Sequence, residues 1–413
     1  MYKEVLNLQR KSLVLYAIFL AALGAVLIAE TTVVFPSLLM RTMGGIPEYF
    51  DVNPFEPGIM ALPFLVTNFI LFGIAVLYFK GRLPQKISSS FRFILNFEIS
   101  ARVAFLIVLL LIGGFITFTV NQLFTEEQFP DYYNNVKPVL QTWTINNITK
   151  GFDVHLKFFL DVISMKIFGS YRVIPYLESI SLLVLTYFFT KLITKSRFAG
   201  IASIVILLQS TIFLFYHSSV AYDNSWILFY LLSLYVIYKF WPLSSISFIA
   251  SLFTKPYTVL FIPFTLFFLY GTGMSRKKKI ATAISYVIVI AVGIAAALKF
   301  RTATSLSTIK TFDFLSAYNA FSYQLRFDPV VVLFLLSVVI MLFLAARKGT
   351  VHADSILLLL MSTVLLQPIA SAFNGFTGEP YRFMPLITFF AISIGMLLSK
   401  NVTVKERVFP NRH

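Results

Sequence analysis

Not one of the 413 residues is cysteine, which excludes disulfide frameworks and thiolate metal sites and leaves the redox compartment unmarked. Charge is scarce as well. Asp, Glu, Lys and Arg together make up 13% of the chain, where a soluble domain carries about 25%. Neither a Walker A loop nor a dinucleotide glycine fingerprint occurs, so ATP-driven pumping and nucleotide-cofactor redox chemistry have no support. A soluble nucleotide-sugar domain is missing too.

What is present is hydrocarbon. Apolar residues fill 58% of the positions, with 46 Phe and 20 Tyr, and the mean hydropathy is +0.82. The apolar runs recur from end to end, so one continuous helical bundle is expected rather than a string of soluble domains. Windows long or apolar enough to be spans lie near 12–34, 58–80, 101–120, 174–194, 198–216, 225–241, 242–254, 258–271, 280–299, 329–346, 354–372 and 380–398. The expected fold class is therefore all-α, a polytopic membrane bundle of about 12 spans. The pair around 242–271 is short and interrupted by Lys255 and Pro256, as tilted, broken or re-entrant segments would be. The first run follows Lys3, Arg10 and Lys11 but stays apolar for more than 20 residues, so it reads as a retained anchor.

The formal charge of +16 invites a nucleic-acid reading, and the positions of the charges argue against it. Basic residues cluster between apolar runs on alternate sides of the expected bundle. One set holds Lys80, Arg82, Lys86 and Arg92, then Lys191, Lys195 and Arg197, then Arg276 to Lys279, then Arg347 and Lys348, and last Lys400, Lys405, Arg407 and Arg412. The other set is acidic or mixed: Glu48, Asp51 and Glu56; Glu126, Glu127 and Asp131; Asp223; and Glu379 beside Arg382. The positive-inside rule places the first set, and with it both termini, in the cytoplasm. Twelve crossings return the chain to its starting side, in agreement. The expected location is thus a multi-pass integral membrane protein, in the plasma membrane if the source is prokaryotic.

The long irregular segments, 121–173 and 300–328, fall on the outer side. Within the first, Val154 to Phe168 reads as an interfacial helix with Lys157, Asp161 and Ser164 on one face. Of two sequons, Asn147-Ile148-Thr149 and Asn401-Val402-Thr403, only the first lies on that side. Binding or chemistry is expected there.

Along the outer side runs an ordered series of short motifs. It begins with Glu126-Glu127-Gln128-Phe129-Pro130-Asp131-Tyr132-Tyr133, then Asp153-Val154-His155-Leu156, then Lys166-Ile167-Phe168-Gly169 with Arg172. Ala221-Tyr222-Asp223-Asn224, Leu252-Phe253-Thr254-Lys255-Pro256 and Tyr381-Arg382-Phe383-Met384-Pro385 follow. Their order and membrane side resemble the GT-C superfamily of membrane glycosyltransferases, with dolichyl-phosphate-mannose protein mannosyltransferases and lipid A aminoarabinose transferases as the nearest parallels. The resemblance covers roughly 100–400. It departs from that pattern at His155-Leu156-Lys157, where the family carries His-Pro-Pro, and at Lys255, which precedes Pro rather than Gly. It divides the chain into two extra N-terminal spans (1–98), a transmembrane core (99–400) and a cytoplasmic tail (401–413).

The resemblance implies a glycosyltransferase, inverting in outcome, that moves a sugar from a polyisoprenyl-phosphate donor to a lipid, glycan or protein acceptor on the outer face. Asp131 is then the first choice as catalytic base and Glu127 the alternative, since a carboxylate must take the acceptor proton. Lys255 and Arg382 would hold the donor phosphate, with His155, Asp223 and Tyr222 nearby. No cofactor is fixed by the resemblance, and a divalent cation is the one candidate. The metal is left open: Asp223 is placed to share a divalent cation with the base, but two carboxylates distant in sequence are not a coordination sphere. Each residue also has a plainer role, as solvated loop acid, structural ion pair or interfacial anchor. The competing functional classes are a transporter or lipid-linked-sugar flippase, and a non-catalytic subunit of a membrane complex. An enzyme requires Asp131, Lys255 and Arg382 to meet in one outward cavity.

Overall fold

A computed structural model describes residues 2–38, 53, 55–149, 154–299, 327–374 and 380–399. Asp153, Glu379, most of the 300–328 segment and the 401–413 tail lie outside the described residues, as do Glu48 and Asp51. The described chain is all-helical, with no strand among the described residues. Its principal helices are α1 (Tyr2–Val34), α2 (Ala61–Phe79), α3 (Gln85–Asn96), α4 (Ala101–Thr119), α5 (Lys137–Thr142), α6 (His155–Phe168), α7 (Val173–Thr194) and α8 (Arg197–Leu208). They continue with α9 (Thr211–Tyr216), α10 (Ser225–Lys239), α11 (Pro242–Thr254), α12 (Ile262–Gly271), α13 (Arg276–Lys299), α14 (Pro329–Arg347), α15 (Ala353–Asn374) and α16 (Met384–Leu397).

Five helical stretches are long and apolar enough to cross a bilayer: Leu13–Val34, Ala101–Phe124, Val173–Thr194, Pro329–Arg347 and Pro380–Leu397. At 1.5 Å per residue, about 20 residues match the ~30 Å hydrocarbon core. Six shorter apolar helices accompany them.

The core forms around α16, which packs on α7, α8, α14 and α15 and buries nearly every side chain. Small residues permit this approach, as expected where lipid removes the hydrophobic drive between helices. At Gly200 a Cβ would come within 2.7 Å of the Tyr187 ring and 2.8 Å of its carbonyl oxygen, so only glycine lets α8 lie this close to α7. The N-terminal pair sits at the periphery. Helix α1 packs on α14 and α15, with Phe19 stacked on Phe343 at 4.0 Å. Asn68 of α2 pins α14, donating to the Leu333 carbonyl and accepting from Ser337 Oγ at 2.8 Å.

Three local results sharpen the expectations. The basic stretch around Lys86 and Arg92, expected as a loop, is the helix α3, and none of its residues is buried. The interrupted pair forms α11, a 3-10 turn over Pro256–Phe261, and α12. Proline cannot continue a helix and forces the preceding residue out of the helical region. Lys255 accordingly ends α11 in an extended conformation, φ −152° and ψ 103°. Helix α6 turns its polar stripe inward, with Asp161 and Ser164 buried and Ile167 and Phe168 exposed. Gly169 terminates it at φ +71°, a left-handed position that suits glycine, and its N–H donates to the Met165 carbonyl.

Topology then gathers one end of the bundle. Helices α7, α10 and α16 begin there and α11 ends there. The turn before α10, the Lys255 break and the Tyr381-Arg382 segment are thereby neighbours, with α6 packed against α7 and α11.

Candidate functional site

At that end two cations from distant segments share one aromatic ring. Lys255 Nζ lies 4.3 Å from the centre of Tyr381 and the Arg382 guanidinium carbon 5.7 Å from it. Arg382 Nε donates to the Tyr381 hydroxyl at 3.2 Å. Trp226, at 5.1 Å, and Tyr257, at 5.7 Å, complete an aromatic cage around the lysine. Among the described residues Lys255 has no carboxylate within ion-pair distance. Its side-chain nitrogen is held among π-faces.

Tyr222 stacks on Tyr381 at 4.1 Å and carries the next residue, Asp223, to the same place. Asp223 is buried. One carboxylate oxygen meets Lys157 Nζ at 2.9 Å, and the other accepts from the Ser225 backbone N–H at 3.1 Å and from the Ser225 hydroxyl. Lys157 also donates to the Ala221 carbonyl at 2.6 Å. Asp161 and Glu178 are buried alongside, and Asp223, Lys157 and Glu178 all act electrostatically on Asp161. Burial pushes the Asp161 carboxyl well above the aspartate range, against the pull of Lys157. For Lys157 itself burial disfavours the ammonium, yet Asp223 and Asp161 outweigh it and hold its pKa above that of an ordinary lysine.

The loop that precedes α6 is fastened to this turn. Glu127, 3% exposed, accepts from Ser219 Oγ at 2.6 Å and from the backbone N–H groups of Val220 at 2.6 Å and Ala221 at 3.2 Å. Burial raises its carboxyl above the ordinary glutamate value, while those hydrogen bonds and Arg172 act in the opposite direction. Arg172 reaches across as a second tie. It donates to the Ser218 carbonyl and hydroxyl at 3.1 and 2.7 Å and to Thr125 at 2.9 and 3.0 Å. Beneath the loop opens a cavity of about 680 Å³, lined by Glu126, Glu127, Tyr132, Lys137, Tyr171 and Arg172 among others.

Of the residues singled out in sequence, Lys255, Arg382, Asp223 and Tyr222 come together. Glu127 adjoins them as the clamp on their turn rather than as a free carboxylate. His155 is buried at the first position of α6, two residues ahead of Lys157. Asp131 is not brought to the cations. Its carboxylate accepts from Asn135 Nδ2 at 2.5 Å within its own helical turn, and no ion pair or hydrogen bond joins it to Lys255 or Arg382. The neighbouring Tyr132 turns inward instead, into a small core with Val136, Leu140, Trp143 and Phe158.

The sequence reading put Lys157 and Asp161 on one helical face without assigning them to the site, and it missed Glu178, Trp226 and Tyr257. Lys157 and Asp161 are four apart on a helix, a spacing that puts them on one face, but nothing in that spacing says the face turns inward. Glu178 carries a clearer signal, since an acid inside an apolar span is costly and marks a polar partner. Tyr381 was visible only as part of a motif. Among the described residues no group of three or more His, Asp or Glu side chains is arranged to hold a metal ion.

Comparison with known proteins finds no matching family model, no matching curated protein and no matching solved structure.

Proposed function

We propose that this chain is an integral-membrane glycosyltransferase that takes a sugar from a polyisoprenyl-phosphate donor and attaches it to an acceptor at the outer face of the bilayer. We read the five long apolar helices, the six shorter ones and α13 as the twelve crossings that the loop charges call for. In this topology both termini are cytoplasmic and the site lies on the outer side.

One observation carries the reading: Lys255 and Arg382, 127 positions apart in sequence, meet on the Tyr381 ring beside a buried carboxylate. Among the described residues neither Lys255 nor Arg382 has an acid within ion-pair distance, an arrangement that suits a phosphate. As the bond between the sugar's anomeric carbon and the phosphate oxygen breaks, negative charge grows on that oxygen, and preorganised cations stabilise it. The acceptor hydroxyl attacks the same carbon from the opposite face and gives up its proton to a carboxylate. The products are the glycosylated acceptor and the lipid phosphate.

Asp223 replaces Asp131 as the base, because it lies in the cation cluster whereas Asp131 bonds to Asn135 within its own helical turn, so the expected meeting of Asp131 with Lys255 and Arg382 is not met.

The test is transfer of labelled sugar from a polyprenyl-phosphate donor by the chain in proteoliposomes. Lys255→Gln and Asp223→Asn should each lose turnover about 10²-fold or more, and Asp131→Asn should retain it. Wild-type turnover in Lys255→Gln would end the proposal. Movement of labelled lipid across the bilayer with no covalent product would replace it with a flippase.

A further inference from the structure

The opposite end of the bundle carries a different binding feature. A groove of about 460 Å³ runs between α4 and α7, lined by Phe105, Leu109, Ile112, Val184 and Phe188, with Gly113 on its wall. From Ala101 to Ile116 it extends roughly 22 Å at helical rise. Its walls are hydrocarbon, and its mouth is cationic. Lys191, in the last turn of α7, lies 5.6 Å from the centre of Tyr187 and 5.8 Å from that of Phe188. Among the described residues it has no ion-pair partner. Arg197 stands opposite, with Nη1 3.7 Å from Glu98 and donating to the Ile99 carbonyl at 3.1 Å. Its Nε is buried without a hydrogen-bond partner. Glu98 therefore offsets one of the two cations that line the mouth.

Helix α3 fixes the level of this mouth. Ile87, Phe91 and Ile94 recur at spacings of four and three and are all exposed, while Lys86 and Arg92 lie off that stripe. A helix with one apolar stripe, basic flanks and no buried residue lies in the plane of a membrane surface. Two residues after Phe97, which ends α3 and sits 5.2 Å edge-on to Phe198, the chain reaches Ile99 at the groove mouth.

We infer that this groove binds one anionic glycerophospholipid, with an acyl chain between α4 and α7 and the headgroup phosphate between Lys191 and Arg197. Hydrocarbon walls, a basic mouth and an interfacial helix at the same level complement that molecule and no water-soluble anion. The site is about 20 Å along α7 from Glu178, so it is separate from the proposed transfer site and stands without it.

The full-length chain, purified in detergent, is titrated with dioleoylphosphatidylglycerol or dioleoylphosphatidylcholine, and bound lipid is counted by native mass spectrometry. One phosphatidylglycerol should bind about tenfold more tightly than phosphatidylcholine, and Lys191→Gln should weaken it about fivefold without affecting phosphatidylcholine. Gly113→Phe fills open space in the groove and should weaken both lipids. Lys277→Gln, in the separate basic cluster, should change neither. The proposal falls if the two lipids bind equally, if Lys191→Gln binds as wild type does, or if Lys277→Gln loses as much as Lys191→Gln. Unchanged binding in Gly113→Phe would overturn the placement of the chain.

Discussion

Two lysines at the same end of this bundle are treated in opposite ways. Lys157 is spent: Asp223 at 2.9 Å and the Ala221 carbonyl at 2.6 Å take up its charge. Lys255 is surrounded by Tyr381, Trp226 and Tyr257, which attract a cation but do not neutralise it. A paired ammonium builds structure, and a caged one is available to an anion that arrives later. On the proposed function, the first serves folding and the second binding.

The strongest way to break the contrast is to strand the buried acid. Lys157→Met leaves Asp223 without its partner and should cost about 3–5 kcal/mol of stability, measured by unfolding in detergent. Adding Asp223→Asn should return most of that loss. Lys255→Gln should do the reverse, lowering turnover by 10² to 10³-fold (about 2.7–4 kcal/mol in the barrier) with an unchanged unfolding midpoint. If Lys255→Gln unfolds the chain and Lys157→Met does not, the assignment is inverted.

Smaller effects sharpen the picture around the two lysines. Glu127→Ala leaves the Val220 and Ala221 N–H groups without their acceptor and should cost about 1–3 kcal/mol. Faster hydrogen exchange at those two amides would register it. Asp161 offers a pH test. Unfolded, it loses its proton near the usual value of about 3.9, whereas folded it keeps the proton to higher pH. Between those two points the native chain binds more protons, so its stability falls as pH rises through the window. Asp161→Asn should flatten that fall, seen by comparing unfolding at pH 3, 5 and 7. A slope unchanged by the substitution would locate the titration elsewhere.

Much of the helical layout was legible because lipid punishes misplaced polarity. Asp223, Lys255 and Arg382 stood out as ionisable groups at the ends of apolar runs, and all three lie in the cluster. Asp131 was chosen on the resemblance alone, and its side-chain direction is set by the helical turn of 130–142, which sends Tyr132 inward and leaves Asp131 to Asn135. The aromatic cage could not be read at all. Nothing local distinguishes Trp226, Tyr257 and Tyr381 among so many aromatic residues, and only the Lys255-Pro256 break brings them around one ammonium. The loop reading of α3 failed for a related reason: three consecutive serines hid a stripe that appears only when the segment is wound at 3.6 residues per turn.

The inverted polarity of α6 has a kinetic consequence. With Ile167 and Phe168 outward and Asp161 inward, the helix packs over the cluster and reaches it through Lys157. On the function proposed above, the donor is lipid-anchored and reaches the cluster by lateral diffusion, without leaving its leaflet. Its encounter rate follows the mole fraction of ligand in the surface, so diluting it with inert lipid or detergent slows the reaction even at constant bulk concentration.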